Sequence, residues 1–162
     1  MVGILGTLIA VSLPNFQDTM ANNVINSQAK LFITTLNLAR SEVIKRGTNV
    51  GICPSNDGLD CDAASGSARW IVFVDVNSDA DGVGSSIDPG DIIIRVFDAL
   101  GTKSALTVTA DLMESNSLGF SATAGTQTML LCPSTATSAN TRSVEIGASG
   151  RSRRIEGGIV CP

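Results

Sequence analysis

The chain has 162 residues, of which 43% are hydrophobic and 16% are charged, and its formal net charge is −4. This apolar content supports one folded domain with an appendage and excludes a chain that is disordered throughout. Histidine is absent, which excludes a Ser-His-Asp triad, a Cys-His dyad and a His-ligated zinc site. Since no paired-acid or nucleophile motif stands out, we expect no catalytic residue, no cofactor and no metal, and predict that the protein is not an enzyme.

The N-terminal third has the pattern of one long helix. Residues 1–14 (MVGILGTLIAVSLP) are apolar, and the first charge is Asp18. No cleavage site separates this segment from the helical pattern that follows it. That pattern ends at Lys45, Arg46 and Gly47, because cations and glycine are favoured at a helix C-terminus. The alternative is a removed signal peptide. We predict an apolar half-helix over 1–22, for membrane or filament core, and a head over 23–162. The predicted inward stripe is Ile25, Ala29, Phe32, Leu36, Ala39 and Val43.

After Gly47 the sequence pattern changes to that of short strands separated by turns. The strongest candidates are Arg69–Val76 and Asp91–Asp98, which are rich in β-branched and aromatic residues. Their spacing predicts an antiparallel sheet or sandwich, so the fold class is α+β: a helix over 23–46 packed on a β head over 48–162. The other candidates are Thr48–Cys53, Ser104–Ala110, Ser117–Ser121, Gln127–Cys132, Ser143–Ala148 and Ser152–Glu156.

Four cysteines, none in a C-x-x-C motif, favour two disulfides in an oxidising compartment. Three connectivities exist, of which we favour Cys53–Cys61 and Cys132–Cys161. The alternative is four free thiols.

A polar loop between the two strongest strands approximates a calcium-binding pattern. Asn77, Asp79 and Asp81 alternate, Gly82 follows, and Asp88 stands eleven positions after Asn77. However, the first ligand is neutral and the last is Asp instead of Glu. We therefore favour a plain turn, in which Asp, Asn and Gly are common anyway.

Several segments resemble the FimT/GspH family of minor type IV pilins and type II secretion pseudopilins. They are LPNFQDTMANN (Leu13–Asn23), LNLARSEVIKRGTNVGIC (Leu36–Cys53), WIVFVDVN (Trp70–Asn77), IIIRVFDAL (Ile92–Leu100) and ASGRSRR (Ala148–Arg154). The resemblance implies a single-pass subunit of the bacterial inner membrane with its head in the periplasm. Its partners would be membrane lipid and then other pilins in a filament. The basic leader, Gly-Phe processing site and glutamate of such proteins are missing, so we expect that the true start lies upstream.

The C-terminal arginines form the candidate binding site. Arg151, Arg153 and Arg154 belong to a segment, residues 141–162, with four arginines and two glutamates, whereas residues 1–140 hold 7 basic and 13 acidic residues. The G-R-x-R pattern resembles that of FimT proteins, in which the arginines bind DNA for natural transformation. An arginine fork can take two phosphate oxygens, and strand alternation places Arg151 and Arg153 on one face and Arg154 on the other.

The resemblance therefore implies weak, sequence-independent binding of double-stranded DNA. Alternatives stay open for both the arginines and the protein. Instead of binding DNA, the arginines form a solvated basic strand or pair with acidic residues of a neighbouring pilin. Instead of a pilus subunit, the protein is a type II secretion pseudopilin that acts in protein export without binding DNA.

Overall fold

The computed structural model describes residues 2–62, 69–77, 87–98, 104–108, 113–119, 121, 126–133 and 141–156. Within them one helix precedes eight strands. The helix is α1 (Val2–Arg46), and the strands are β1 (Asn49–Ser55), β2 (Arg69–Asp75), β3 (Ile92–Phe97), β4 (Ser104–Val108), β5 (Met113–Ser115), β6 (Gln127–Pro133), β7 (Arg142–Ile146) and β8 (Ser152–Glu156).

The helix packs one apolar stripe against the head. The predicted stripe residues, from Ile25 to Val43, are all buried, because steps of three and four residues return to the same helix face. The helix stops at Gly47, whose φ is 70° and whose N–H donates to the carbonyl of Val43 at 2.8 Å. A positive φ suits glycine at a helix C-terminus. Among the described residues, no helix is long and apolar enough to cross a membrane.

The head consists of two antiparallel sheets of four strands each. The first has the strand order β3-β2-β1-β5, and the second has the order β4-β6-β7-β8. The helix contacts β1 and β5 of the first sheet and β6, β7 and β8 of the second. This arrangement confirms the predicted α+β fold.

Trp70 lies at the centre of the core between helix and sheet. Its indole stacks on Phe97 at a centroid distance of 5.3 Å and meets Phe32 edge-on at 5.9 Å. Its Nε1–H donates to the hydroxyl of Thr35 at 3.2 Å, so the polar atom of a fully buried tryptophan is satisfied. The tryptophan therefore ties α1, β2 and β3 together.

The other face of the first sheet carries a smaller cluster and a disulfide. Cys53, Ile71 and Phe73 are buried there, with Ile87 and Ile93 packed against them. Cys53 is bonded to Cys61, as predicted. Cys161 lies outside the described residues, so the predicted Cys132–Cys161 bond stays a prediction.

Most predicted strands are present within two residues of their bounds, with one error. Residues 117–121 were predicted as a strand, but Ser117–Gly119 form a turn. Gly119 has a φ of 78°, and its N–H donates to the carbonyl of Asn116 at 2.7 Å. The strand instead precedes this turn, as β5, which has only three residues and therefore too short a pattern to be predicted from the sequence.

Candidate nucleic-acid interface

The basic segment forms a hairpin, with β7 and β8 joined by a tight turn. The N–H of Gly147 donates to the carbonyl of Arg151 at 3.0 Å, and that of Gly150 donates to the carbonyl of Gly147 at 2.8 Å. Gly150 has a φ of 71°, the left-handed residue that a three-residue hairpin loop needs. The turn therefore fixes Arg151 immediately before β8, the edge strand of the second sheet.

The pairing register places the strand arginines on opposite faces. Arg153 lies opposite Glu145, whereas Arg154 lies opposite Val144. Val144 belongs to the core between sheet and helix, so Arg154 projects from the edge of the helix-facing side and Arg153 from the outer side. This separation agrees with the strand alternation of the sequence.

Both strand arginines are held by glutamates of the same chain. Arg153 contacts Glu145 Oε2 through Nη2 at 2.8 Å and through Nε at 2.9 Å, and Arg154 Nη2 lies 2.8 Å from Glu156 Oε1. Arg153 is 74% exposed, so its ion pair is screened by water and weak. These two arginines therefore keep access to solvent, but Arg153 is paired with Glu145, and Arg154 shares Glu156 with Arg142, whose Nε lies 4.0 Å from the same oxygen.

Unlike the exposed arginines of β8, Arg142 is largely buried and contacts the helix. Its side chain is only 13% exposed. Nε donates to Asn26 Oδ1 of α1 at 3.0 Å, and Nη1 donates to the carbonyl of Thr141 at 2.9 Å. Arg142 therefore joins the second sheet to the helix and does not extend the basic surface. Lys103, a further basic candidate for this surface, lies outside the described residues.

Arg151 differs from the other three arginines. It is exposed at the tip of the hairpin, and within the described part of the chain it has no ion pair. Residues 141–156 hold four arginines and two glutamates, a balance of +2. The structure thus presents one unneutralised guanidinium beside two neutralised ones. The sequence does not predict the cross-strand partner Glu145, although Gly147 and Gly150 mark the turn that sets this register.

The remaining candidate in the sequence is the calcium-like metal site. In the described parts of the chain, no group of three or more Asp, Glu, Cys or His side chains could hold a metal ion. Residues 78–86 of the calcium-like pattern lie outside the described residues.

A comparison with protein families decides the relationship. The family described as type II transport protein GspH matches residues 28–156, most of the helix-packed head. The chain belongs to the GspH family. This is a family of structural pilins and pseudopilins, and membership confirms the resemblance seen in the sequence.

Solved structures agree on the fold. The crystal structure of the type IV minor pilin FimU of Pseudomonas aeruginosa is similar with a TM-score of 0.63 and 17% identity, over 86% of this chain and 96% of that one. The minor pseudopilin EpsH of the type 2 secretion system of Vibrio cholerae has a TM-score of 0.54 and 17% identity, over 82% and 96%. No curated protein matches the sequence.

Proposed function

We propose that this GspH-family protein is a minor type IV pilin, a structural subunit of a pilus, and that its β7–β8 turn binds double-stranded DNA without sequence preference. Residues 1–22 belong to the apolar helix that anchors the subunit in the bacterial inner membrane, with the head in the periplasm. They pack against other pilins once the filament forms. The DNA would be extracellular DNA taken up in natural transformation.

The observation that carries the DNA proposal is the exposed Arg151 at the hairpin tip, which has no ion pair among the described residues. A protruding guanidinium can approach a phosphate without steric conflict and can take two of its oxygens. Arg153 and Arg154 stand two and three residues further along and can exchange their glutamates for phosphates. With one to three contacts, the binding is weak and strongly dependent on salt.

Binding is tested with the full-length chain in detergent micelles and a fluorescent DNA duplex, by anisotropy over a salt titration. We expect a slope of log affinity against log salt between about −0.9 for one contact and about −2.7 for three. Arg151→Gln should weaken binding roughly five- to tenfold and make the slope shallower by about 0.9. Lys30→Gln removes an equal charge from the exposed helix surface and should have little effect. Absence of binding in the parent, or equal effects of both variants, would overturn the DNA proposal.

A second candidate function is a pseudopilin of type II secretion, acting in protein export without DNA. The observation in its favour is the neutralisation of Arg153 by Glu145 and of Arg154 by Glu156, which lowers the positive potential of β8. Under this alternative, the salt titration gives no DNA binding in the parent protein. Deletion of the gene then impairs export of secreted proteins and leaves transformation unchanged.

A further inference from the structure

Two exposed apolar projections remain outside the site described above, and they carry opposite charges. The disulfide-loop surface consists of Asp57, Leu59, Asp60, Asp62 and Val96. The helix-end surface consists of Arg40, Ile44, Lys45, Arg46 and Leu118. Single exposed apolar residues are common, but here each projection pairs two of them with charges of mainly one sign: three aspartates and Arg69 at the first surface, three cations and Glu42 at the second.

The disulfide-loop surface is rigid. The Cys53–Cys61 bond closes the loop, and Asp57 Oδ1 accepts hydrogen bonds from the N–H groups of Leu59 at 2.8 Å and Asp60 at 3.2 Å. The N–H of Leu59 makes the largest contribution to a lowered pKa of Asp57, so this carboxylate stays charged. The loop thus holds Leu59 in solvent, 71% exposed, at little further cost in conformational entropy on binding.

Val96 extends the apolar part of this surface. A Cβ on Gly58 would lie only 3.1 Å from Val96 Cγ1, so the loop rests directly on β3, and Val96 is 39% exposed. Asp60 and Asp62 are both turned to backbone donors: Asp60 Oδ1 accepts from Cys61 N–H at 2.8 Å, and Asp62 Oδ2 accepts from Asn56 N–H at 2.7 Å. The surface is an apolar pair beside three carboxylates and one cation, Arg69, whose Nη1 donates to the carbonyl of Asp57 at 3.2 Å, so its net charge is negative.

The helix-end surface has the complementary composition. Ile44 is 67% exposed and Leu118 is 74% exposed. The turn that carries Leu118 packs on the last turns of α1, since a Cβ on Gly119 would lie 3.3 Å from Arg40 Nε and 3.8 Å from Ile44 Cγ1. Glu42 pairs with Arg46 at 2.7 Å and with Lys45 at 3.6 Å, which leaves three cations against one anion.

The two surfaces lie at opposite ends of the same strand. The helix ends three residues before Asn49, where β1 begins, and the disulfide loop starts after Ser55, where β1 ends. At 3.3 Å per residue, these ends are about 20 Å apart. One chain therefore cannot bring its own two surfaces together, whereas two chains in head-to-tail order can.

We propose that the disulfide-loop surface of one copy binds the helix-end surface of a second copy, with Leu59 against Ile44 and Leu118 and the aspartates facing Lys45 and Arg46. Such a contact is heterologous, because it uses two different patches, and its repetition gives an open chain of subunits instead of a closed dimer. The inference deepens the proposed filament role, on which it rests for its biological setting.

The test uses zero-length carbodiimide cross-linking, which joins a lysine to a carboxylate in direct contact. Full-length chains with and without ¹⁵N label are mixed in detergent and analysed by mass spectrometry. The chain has three lysines, Lys30, Lys45 and Lys103, so assignment is simple. We expect links between differently labelled chains that join Lys45 to Asp57, Asp60 or Asp62. Absence of these mixed-label links overturns the proposal.

Variants separate this contact from association through the apolar helix. Leu59→Ser leaves the backbone hydrogen bonds of the loop intact and should lower the yield of the mixed-label link roughly tenfold. Ile92→Ser, at a residue 49% exposed on β3, is the matched control and should leave the yield unchanged. An unchanged yield in Leu59→Ser contradicts the proposal. Arg151→Gln should not alter the link, so loss of DNA binding and loss of this contact are measured independently.

Discussion

Strands β2 and β8 have similar lengths and opposite surroundings. Six of the seven residues of β2 are buried, whereas no residue of β8 is. The difference follows from position, since β2 lies between two neighbours with α1 on one face and the disulfide cluster on the other. β8 is an edge strand and carries arginines on both faces. We infer that substitutions near β2 change stability and that those in β8 change binding.

Trp70→Ala should have the largest effect. It deletes the side chain that contacts Phe32, Phe97 and Thr35, and such truncations cost about 3–5 kcal/mol of unfolding free energy. Trp70→Phe is the control, since it keeps a ring beside Phe97 and loses chiefly the hydrogen bond. Urea denaturation measures both. A cost below about 1 kcal/mol for Trp70→Ala would contradict the assignment of Trp70 to the centre of the core.

The Cys53→Ala/Cys61→Ala double variant should come next. The bond closes a loop with a sequence separation of 8, and loop entropy predicts a stabilisation of about 2.5 kcal/mol. Urea denaturation of the oxidised parent against the double variant gives the value. The parent measured with a reductant is the control and should approach the variant. A variant as stable as the oxidised parent would mean that the loop is held by its hydrogen bonds alone.

Periodicity predicted the parts of the fold in which one face is buried. The stripe from Ile25 to Val43 specified the helix face, and the β-branched and aromatic run Arg69–Val76 specified a strand, observed as β2 (Arg69–Asp75). Strand β5 was not predicted, because three residues are too few to show the alternation of apolar and polar residues that marks a strand. The predicted strand over residues 117–121 failed because Gly119 adopts a turn conformation. Local turn geometry here outweighed the weak strand pattern.

The candidate site was predictable only in part. The sequence named Arg151, Arg153 and Arg154 and the alternation of the last two, which the register confirms. It did not give the pair of Arg153 with Glu145, which depends on the cross-strand register, nor the pair of Arg154 with Glu156 two residues further along the same strand. It also did not show that Arg142 is turned toward Asn26 of the helix, a contact between residues far apart in the chain.

Glu114→Gln should have a smaller effect, and one that depends on pH. Burial, and then the charge of Asp75, raises the pKa of Glu114 above its ordinary value of 4.5, against a hydrogen bond from Asn49. The folded chain therefore holds this proton more tightly than the unfolded chain does. Stability is fully present below the ordinary pKa and is lost as pH rises through the raised one.

The variant should therefore melt above the parent at neutral pH, by less than the disulfide contributes, and the difference should vanish in acid. Gln keeps an oxygen for Asn49 and cannot ionise. Thermal unfolding followed by circular dichroism across the acidic range provides the measurement. Glu42→Gln is the control, because the hydrogen bond from Arg46 lowers the pKa of Glu42, which reverses the sign of its pH dependence. A melting difference independent of pH would point to packing instead of ionisation.

Glu145→Gln should change stability least and alter DNA binding instead. The pair that it breaks involves Arg153, which is 74% exposed, and exposed pairs contribute about 0–1 kcal/mol. Release of Arg153 from its counter-ion should steepen the salt slope of DNA binding by up to about 0.9, one additional phosphate contact. Glu42→Gln adds the same charge at the helix end and should leave the slope unchanged.

Denaturation and the salt titration then separate the two roles of β8. A loss of stability comparable with the disulfide variant would show that the Arg153–Glu145 pair holds the hairpin together, so that the contrast between β2 and β8 fails. Unchanged stability with an unchanged slope would show that Arg153 does not contact phosphate and that Arg151 acts without it. Unchanged stability with a steeper slope is the expected result. It would mean that Glu145 competes with DNA for Arg153, so that the charges of the edge strand serve binding and not folding.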